Sequence, residues 1–219
     1  MITPLMKTHL QDLLNKPILF DANIFMVGIE NRSSDPNCSF ENMKKLYIIP
    51  LLESFKKIYI HREVYKELDD ECKNFINTYI GKNVTIVDEG NLYGKDPKYT
   101  VIFNNISQHE LVNYVRGHSK DRGEVYSLAY AAYYNMNYFS SKEIMVDKVA
   151  EELEDLKDID IITFDIIILS AYVYYAKIND KSNSKALKAM YKRFCADVIK
   201  RHHLPNTLGE YIKASQDYL

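Results

Sequence analysis

Four acidic residues, far apart along the chain, are the candidates for chemistry in this sequence: Asp21, Glu67, Glu124 and Glu143. When a phosphodiester is hydrolysed, divalent cations lower the pKa of bound water and clamp the attacking and leaving oxygens. Magnesium prefers oxygen ligands and keeps several waters, so a few carboxylates are enough to hold it. If the fold gathers these four side chains, we expect metal-assisted hydrolysis where they meet.

Two of these acids also have structural explanations. Asp21 directly follows the apolar run 17–20 and could cap the next helix, since Asp accepts hydrogen bonds from helix-opening amides. Glu67 has several acidic neighbours, and an acidic helix face is usually just solvated. Its position beside Val64 and Leu68 directs it instead toward a sheet. The sequence leaves both interpretations open for each residue.

The other two acids have the spacing of helix caps. Glu124 stands three residues after Asp121, and Glu143 stands three residues after Ser140. A capping box places an acidic side chain at this distance from the residue that opens the helix. Because capping and metal binding are compatible, the spacing excludes neither role.

Apolar runs that suit strands alternate along the chain with segments of helical periodicity. Strands are predicted at 17–20, 57–60, 84–87, 138–141 and 159–162, helices at 41–56, 62–76, 101–117, 121–136, 143–156 and 165–178, and loops at 28–40 and 88–100. Such alternation predicts an α/β fold, a three-layer α/β/α arrangement with a central, mostly parallel sheet. Ligands bind such sheets at the carboxyl ends of the strands.

The length and charge distribution indicate one main domain with an elaboration. The 219 residues, 47% of them apolar, are enough for a sizeable core. We expect a main α/β domain over 1–176 and a basic helical extension over 177–219 packed on it. Residues 177–205 hold eight Lys and Arg against two acids, whereas the whole chain carries a net charge of −2.

An amphipathic helix is expected over 183–201 in this extension. Its candidate nucleic-acid-binding residues lie at spacings of four and three along one face: Lys181, Lys185, Lys188, Lys192 and the adjacent Arg193. Lysines opposite an apolar stripe are most often a solvated surface. If they instead bind phosphates, RNA affinity should depend on salt through these residues.

Several other classes of site lack their signatures. Neither GxGxxG nor GxxxxGK[ST] occurs, and the six histidines and three cysteines show no HExxH or CxxC spacing that would suggest zinc. We expect Cys38, Cys72 and Cys195 to be buried apolar residues. The first residues show no export signal, and the longest apolar stretch, 166–176, is shorter than a membrane span requires. These features favour a cytoplasmic protein without a membrane segment.

Four segments in order, FDANIF, REVYKEL, DRGEVYSLAYAA and FSSKE, resemble the PIN-domain family of metal-dependent nucleases. The likeness is distributed over about residues 17–175. It implies that Asp21, Glu67, Glu124 and Glu143 hold one or two Mg²⁺ or Mn²⁺ ions, and that the protein is a ribonuclease. The residues that the resemblance adds as helpers are Asn23, Asp121, Ser141 and Asp147.

The resemblance also suggests partners and shows departures. Many small members are toxins paired with an antitoxin, so RNA, an antitoxin protein and a second copy of the chain are the candidate partners. Glu143 stands where the family usually has Asp, Ser141 where Thr is common, and the segment 81–118 is longer than in compact members. The longer Glu143 side chain could weaken a metal site, and a scaffold without activity is one outcome of that change.

Two other functions compete with the nuclease hypothesis. A phosphatase of the haloacid-dehalogenase type also begins with a strand-end Asp, but it needs a second Asp two residues later. Asn23 stands at that position, and Phe25 stands where Thr or Val is needed. The stronger alternative is a non-catalytic RNA- or protein-binding module on the same fold, in which the acids are caps and surface residues.

Overall fold

A computed structural model of the chain describes residues 10–26, 39–114, 120–195 and 206–211. It contains a five-stranded, all-parallel sheet with the strand order β3-β2-β1-β4-β5. The strands are β1 (Pro17–Phe20), β2 (Lys57–His61), β3 (Val84–Val87), β4 (Tyr138–Ser140) and β5 (Asp160–Ile162). The predicted α/β class and the parallel sheet flanked by helices are confirmed, consistent with the expected three-layer α/β/α fold.

Helices connect the strands and follow the last one. They are α1 (Leu10–Asn15), α2 (Ala22–Phe25), α3 (Phe40–Met43), α4 (Ile49–Ser54), α5 (Arg62–Glu67), α6 (Asp70–Asn77), α7 (Pro97–Ser107), α8 (Arg122–Tyr133), α9 (Ile144–Glu152), α10 (Phe164–Lys177) and α11 (Lys181–Phe194). A π-helical turn, Lys44–Ile48, joins α3 to α4, and a 3₁₀ turn, Glu154–Leu156, follows α9. No helix in these described segments is both long and apolar enough to cross a membrane.

The strands are largely apolar, as expected for a sheet that is flanked by helices. In β1, Ile18, Leu19 and Phe20 are all fully buried, which is the continuous apolar pattern of a strand buried on both faces. Leu19 pairs in register with Phe139 of β4, which pairs in turn with Ile161 of β5. The strands β1, β4 and β5 are thereby aligned, so their carboxyl ends reach the same edge of the sheet.

The chain forms two compact units. The first, which we call the sheet unit, comprises residues 17–25 and 58–162. Its core includes Val125 and Leu128 of α8, Phe139 of β4 and the buried face of α7. Because β3 and α7 contribute to this core, the segment predicted as an insertion at 81–118 is part of the packed unit where it is described.

The second, the helical unit, comprises the described parts of 1–16, 26–57 and 163–219. Tyr47 packs on Phe164 with ring centroids 5.3 Å apart, and the Tyr175 hydroxyl donates to the Glu53 carboxylate at 2.9 Å. Helix α11 packs on α10 within this unit. The division expected at residue 176 stays a prediction.

Two helices differ from their predicted bounds. The segment predicted as one helix over 62–76 is broken after Glu67, because Leu68 is extended and Asp69 caps α6 by accepting the Cys72 amide at 2.7 Å. The helix predicted at 101–117 begins at Pro97 instead, where Asp96 accepts the Tyr99 amide. A capping Asp decides both boundaries: Asp69 interrupts the predicted helix, and Asp96 starts the helix earlier than predicted.

The two described cysteines, Cys72 and Cys195, are buried, as expected. Cys38 and residues 196–201 of the predicted C-terminal helix lie outside the described residues, whereas α11 itself covers the part of that helix up to Phe194.

Candidate functional site

Asp21 stands at the carboxyl end of β1 with its side chain buried. Its amide continues the β1–β4 pairing by donating to the Ser140 carbonyl at 3.0 Å. One carboxylate oxygen accepts the Ala22 amide at 2.8 Å, and the other accepts the Ser141 hydroxyl at 3.2 Å. Burial raises the pKa of Asp21 to about 7, and the negative charges of Glu67 and Glu143 add to the rise.

The Ser141 side chain forms hydrogen bonds both to the residue after β1 and to the turn after β4. Besides donating to Asp21, its hydroxyl oxygen accepts the Glu143 amide at 3.2 Å and the Asn23 side-chain amide at 3.3 Å. The Asn23 carbonyl oxygen in turn accepts the Lys142 amide at 3.2 Å. The predicted helpers Asn23 and Ser141 therefore fix Asp21 and the start of α9 in place.

Glu124 projects from the first turn of α8 and is buried. Burial raises the pKa of Glu124 to about 8, and the charge of Asp21 is the next largest cause, followed by Asp121 and Glu143. Among the described residues, its Oε2 has no hydrogen-bond partner. A buried carboxylate oxygen without a donor is costly, so this atom calls for a cation or a proton.

Glu67 ends α5 and lies against the start of α8. The Gly123 amide donates to its carboxylate, and a Cβ at position 123 would stand only 2.7 Å from Glu67 Oε1. The residue as a whole keeps exposed surface. Its carboxyl group is nevertheless partly desolvated, and this, together with the charge of Glu124, raises the pKa of Glu67 to about 7.

Glu143 is the N-cap residue of α9, with an exposed side chain that makes no capping hydrogen bond. The predicted Ser140–Glu143 capping box is not formed, because the Ser140 hydroxyl donates to the Ile162 carbonyl at 2.9 Å. The charge of Glu143 is close enough to raise the pKa values of both Asp21 and Glu124. It therefore belongs to the same electrostatic cluster.

The remaining predicted helpers have different positions. Asp121 is buried at the N-cap of α8, but its carboxylate accepts the Asn113 amide at 2.7 Å rather than an amide of α8. Its charge acts on Glu124. Asp147 is exposed in the first turn of α9, and within the described residues no hydrogen bond joins it to the other acids.

The basic groups beside these acids are engaged elsewhere. Arg122 Nε donates to Glu63 Oε2 at 2.5 Å, and Lys66 Nζ contacts Glu63 Oε1 at 2.6 Å. In the described part of the chain, no ion pair involves Asp21, Glu67, Glu124 or Glu143. We call these four residues the acid cluster. Among the described residues, no side chain of opposite sign forms an ion pair that would offset its negative charge.

The donor set of the acid cluster suits a hard divalent cation in its chemistry. All donors are carboxylate oxygens, and within the described part of the chain their charge has no ion-pair partner and the buried Glu124 Oε2 has no hydrogen-bond donor. As the side chains stand, however, no three His, Cys, Asp or Glu groups among the described residues are arranged around a common point that could hold a metal. Residues that would bind the ion are thus gathered in one region without forming a coordination shell.

The five predicted nucleic-acid-binding residues all lie on α11 in the helical unit, with exposed side chains. They are Lys181, Lys185, Lys188, Lys192 and Arg193.

Sequence reasoning missed two features of the site. Gly123 lets α8 approach Glu67, and the signal for it was a glycine in the first turn of a helix, where it costs about 1 kcal/mol relative to Ala. The ion pair of Arg122 with Glu63 joins residues far apart in the sequence, so no local spacing could have indicated it.

No protein-family model, curated protein or solved structure matches this chain. The geometry of the acid cluster is therefore the basis for a functional hypothesis.

Proposed function

We propose that the chain is a divalent-metal-dependent ribonuclease with a PIN-like fold, and that the acid cluster binds the Mg²⁺ or Mn²⁺ ions. The observation that carries this proposal is the gathering of four carboxyl groups, from the end of β1, the end of α5, the first turn of α8 and the N-cap of α9, close enough for their charges to raise the pKa values of Asp21, Glu67 and Glu124. Close carboxylates without a cationic partner destabilise a fold, and a bound cation removes that cost.

Each acid would contribute to the site in its own way. Asp21 is held on both oxygens by the Ala22 amide and the Ser141 hydroxyl, which leaves the remaining lone pairs of a fixed carboxylate for a cation. Glu124 offers the buried Oε2 that lacks a donor among the described residues. Glu67 and Glu143, which keep exposed surface, would complete the ligand set from the solvent side.

Protons compete with the metal at this site. With pKa values of about 7 for Asp21 and Glu67 and about 8 for Glu124, the metal-free cluster retains protons at neutral pH. Metal binding must release them, so affinity should increase as the pH rises through this range. When bound, the ion would supply hydroxide from its water and stabilise charge on the leaving oxygen.

The test is cleavage of single-stranded RNA by the full chain in Mn²⁺ and in EDTA. Asp21→Asn keeps the size of the side chain but removes a charge from the cluster, and we expect it to reduce cleavage by about 10²-fold or more. The matched control is Glu151→Gln, an exposed acid on α9, which should cleave like the unmodified protein. The proposal would be ruled out if cleavage persisted in EDTA, or if Asp21→Asn cleaved RNA as fast as the unmodified protein.

A non-catalytic RNA- or protein-binding module is the second candidate. One observation favours it: in the described residues no three acidic, His or Cys side chains surround a common point. RNA binding that is independent of divalent metal, with no cleavage under any condition, would support this alternative over the nuclease.

A further inference from the structure

A basic pocket lies between α10 and α11 in the helical unit, at the turn that joins the two helices. Its volume is about 360 Å³, within the range of roughly 300–1,000 Å³ that small-ligand sites occupy. We propose that this pocket binds the phosphate group of a nucleotide or of an RNA strand. Its polar lining residues are Tyr172, Asn179, Asp180, Lys181, Ser184, Lys185 and Lys188.

Three positive charges converge on this pocket. Lys181, Lys185 and Lys188 are spaced by four and three residues, so their side chains leave the same face of α11. Within the described residues none of them forms an ion pair. Like charges at this spacing repel one another, and a bound anion would turn that repulsion into attraction.

One lining residue, Asp180, is acidic, so the three lysines and this carboxylate give the lining a net charge of +2, and the carboxylate caps α11 rather than pairing with a lysine. Asp180 Oδ1 accepts the Asn183 amide at 3.0 Å, and Oδ2 accepts the Asn183 side-chain amide at 3.0 Å. The Asp180 carbonyl accepts the Ser184 amide at 3.1 Å. Its oxygens are therefore directed at the start of α11, and the lysine ammonium groups remain available.

The pocket also has neutral groups that suit a phosphate ester. The ammonium group of Lys188 lies 5.3 Å from the centre of the half-buried Tyr172 ring, a cation–π distance that orients the lysine along the pocket wall. The Ser184 hydroxyl lines the same space and can donate to a phosphate oxygen. Ammonium and hydroxyl donors together match a group with several strong acceptor oxygens.

The inference concerns the helical unit alone and does not depend on nuclease activity. If the lysines only formed a solvated face, removing any two neighbouring lysines would weaken ligand binding to the same extent. A site, by contrast, distinguishes the lysines that line the pocket from those that do not. Lys45 and Lys177 provide this contrast, because they lie in the helical unit with exposed side chains but outside the pocket lining, and neither is among the predicted nucleic-acid-binding residues.

The experiment measures binding of inorganic phosphate, AMP and a short single-stranded RNA to the full chain by calorimetry in EDTA. The double variant Lys185→Gln/Lys188→Gln should weaken binding by about tenfold or more, since it removes two charge-assisted contacts. The control, Lys45→Gln/Lys177→Gln, removes the same charge and should change affinity by about twofold at most at physiological salt, where exposed charges are screened. Melting temperatures of both variants should match that of the unmodified protein.

Each outcome decides the proposal. Selective loss of phosphate and AMP binding in the pocket variant identifies a nucleotide site, and selective loss for RNA alone identifies a site for the strand. Equal losses in both double variants, or no binding of any of the three ligands by the unmodified chain, would overturn it. Because EDTA suppresses metal-dependent cleavage, these results are independent of whether Asp21→Asn abolishes nuclease activity.

Discussion

Two contacts between α5 and α8, one helical turn apart, bring glutamates into opposite environments. At the first, Glu63 meets Arg122, and although burial alone would raise the pKa of Glu63, the hydrogen bonds from Arg122 and Lys66 lower it. At the second, Glu67 meets Glu124, and both pKa values rise. The same pair of helices thus holds one neutralised acid and two acids that have no ion-pair partner among the described residues.

A basic side chain, Arg122, does lie beside the acid cluster, but it pairs with Glu63 instead of with the cluster. Arg122 is next to Gly123, whose amide binds Glu67, yet its guanidinium lies toward Glu63 and over the Tyr126 ring at 4.9 Å. An arginine that turned toward the cluster would relieve the repulsion there. Among the described residues no basic side chain takes that role, and the proposed metal ion would supply it.

The largest expected effect is on the pH dependence of stability without metal. Asp21 and Glu124 have folded-state pKa values of about 7 and about 8, above their ordinary 3.8 and 4.5, so between pH 5 and 8 the folded chain binds more protons than the unfolded chain. Its free energy of unfolding should therefore fall as the pH rises, by about 3 kcal/mol in total. Exposed Glu67 should add little because solvent screens it.

Urea denaturation in EDTA at several pH values measures this decrease. Glu63 provides the internal contrast, because its lowered pKa makes it stabilising once it is ionised, and its contribution is lost only as the pH falls into the acidic range. A stability that is constant or increasing from pH 5 to 8 would contradict the pKa values of the cluster.

A smaller effect is expected from Glu124→Gln. Without metal, this substitution removes the acid with the most strongly raised pKa and should stabilise the chain at pH 8 by about 1–2 kcal/mol. In the unmodified protein, Mg²⁺ or Mn²⁺ at 100 times its dissociation constant should add about 2.7 kcal/mol, and the variant should lose most of that gain. Thermal melting with and without metal checks both statements.

The control for this substitution is Glu63→Gln, which removes a glutamate from the paired contact and should destabilise the chain while preserving the response to metal. If metal leaves the melting temperature of the unmodified protein unchanged at millimolar concentration, the cluster is not a metal site.

The smallest effect is expected from Arg122→Ala. It removes the partner of a partly buried glutamate and should cost about 1 kcal/mol, since the pair keeps some contact with solvent. The pKa of Glu63 should rise accordingly. Arg62→Ala is the matched control, because Arg62 pairs with Asp88 in a more exposed position and its loss should cost less. Equal costs in urea denaturation would remove the distinction between the two contacts.

The sequence predicted the strands and the residue at the end of the first one. The apolar run before Asp21 and the alternation of strands and helices are local signals, and both are confirmed. The interruption after Glu67 was not predicted, because Leu68 continues the apolar stripe and only the capping by Asp69 breaks the helix. Periodicity reports which face is buried, whereas caps decide where a helix ends.

The environment of each acid was less predictable than its position. The same three-residue spacing fits Glu124 and Glu143 as caps, yet the structure buries one and exposes the other. That distinction depends on packing between α8 and the sheet, which brings together residues distant in the sequence. For the same reason, the capture of Arg122 by Glu63 was visible only in the fold.

Because Gly123 has no side chain, its amide can approach and bind Glu67. The charge of the acid cluster therefore affects the first turn of α8. The Gly123 amide and that of Glu124, both near the positive end of the α8 dipole, donate to carboxylates. Proton exchange at these two amides therefore reports the charge state of the acids. Raising the pH would tighten the first turn of α8 locally even while it weakens the fold as a whole.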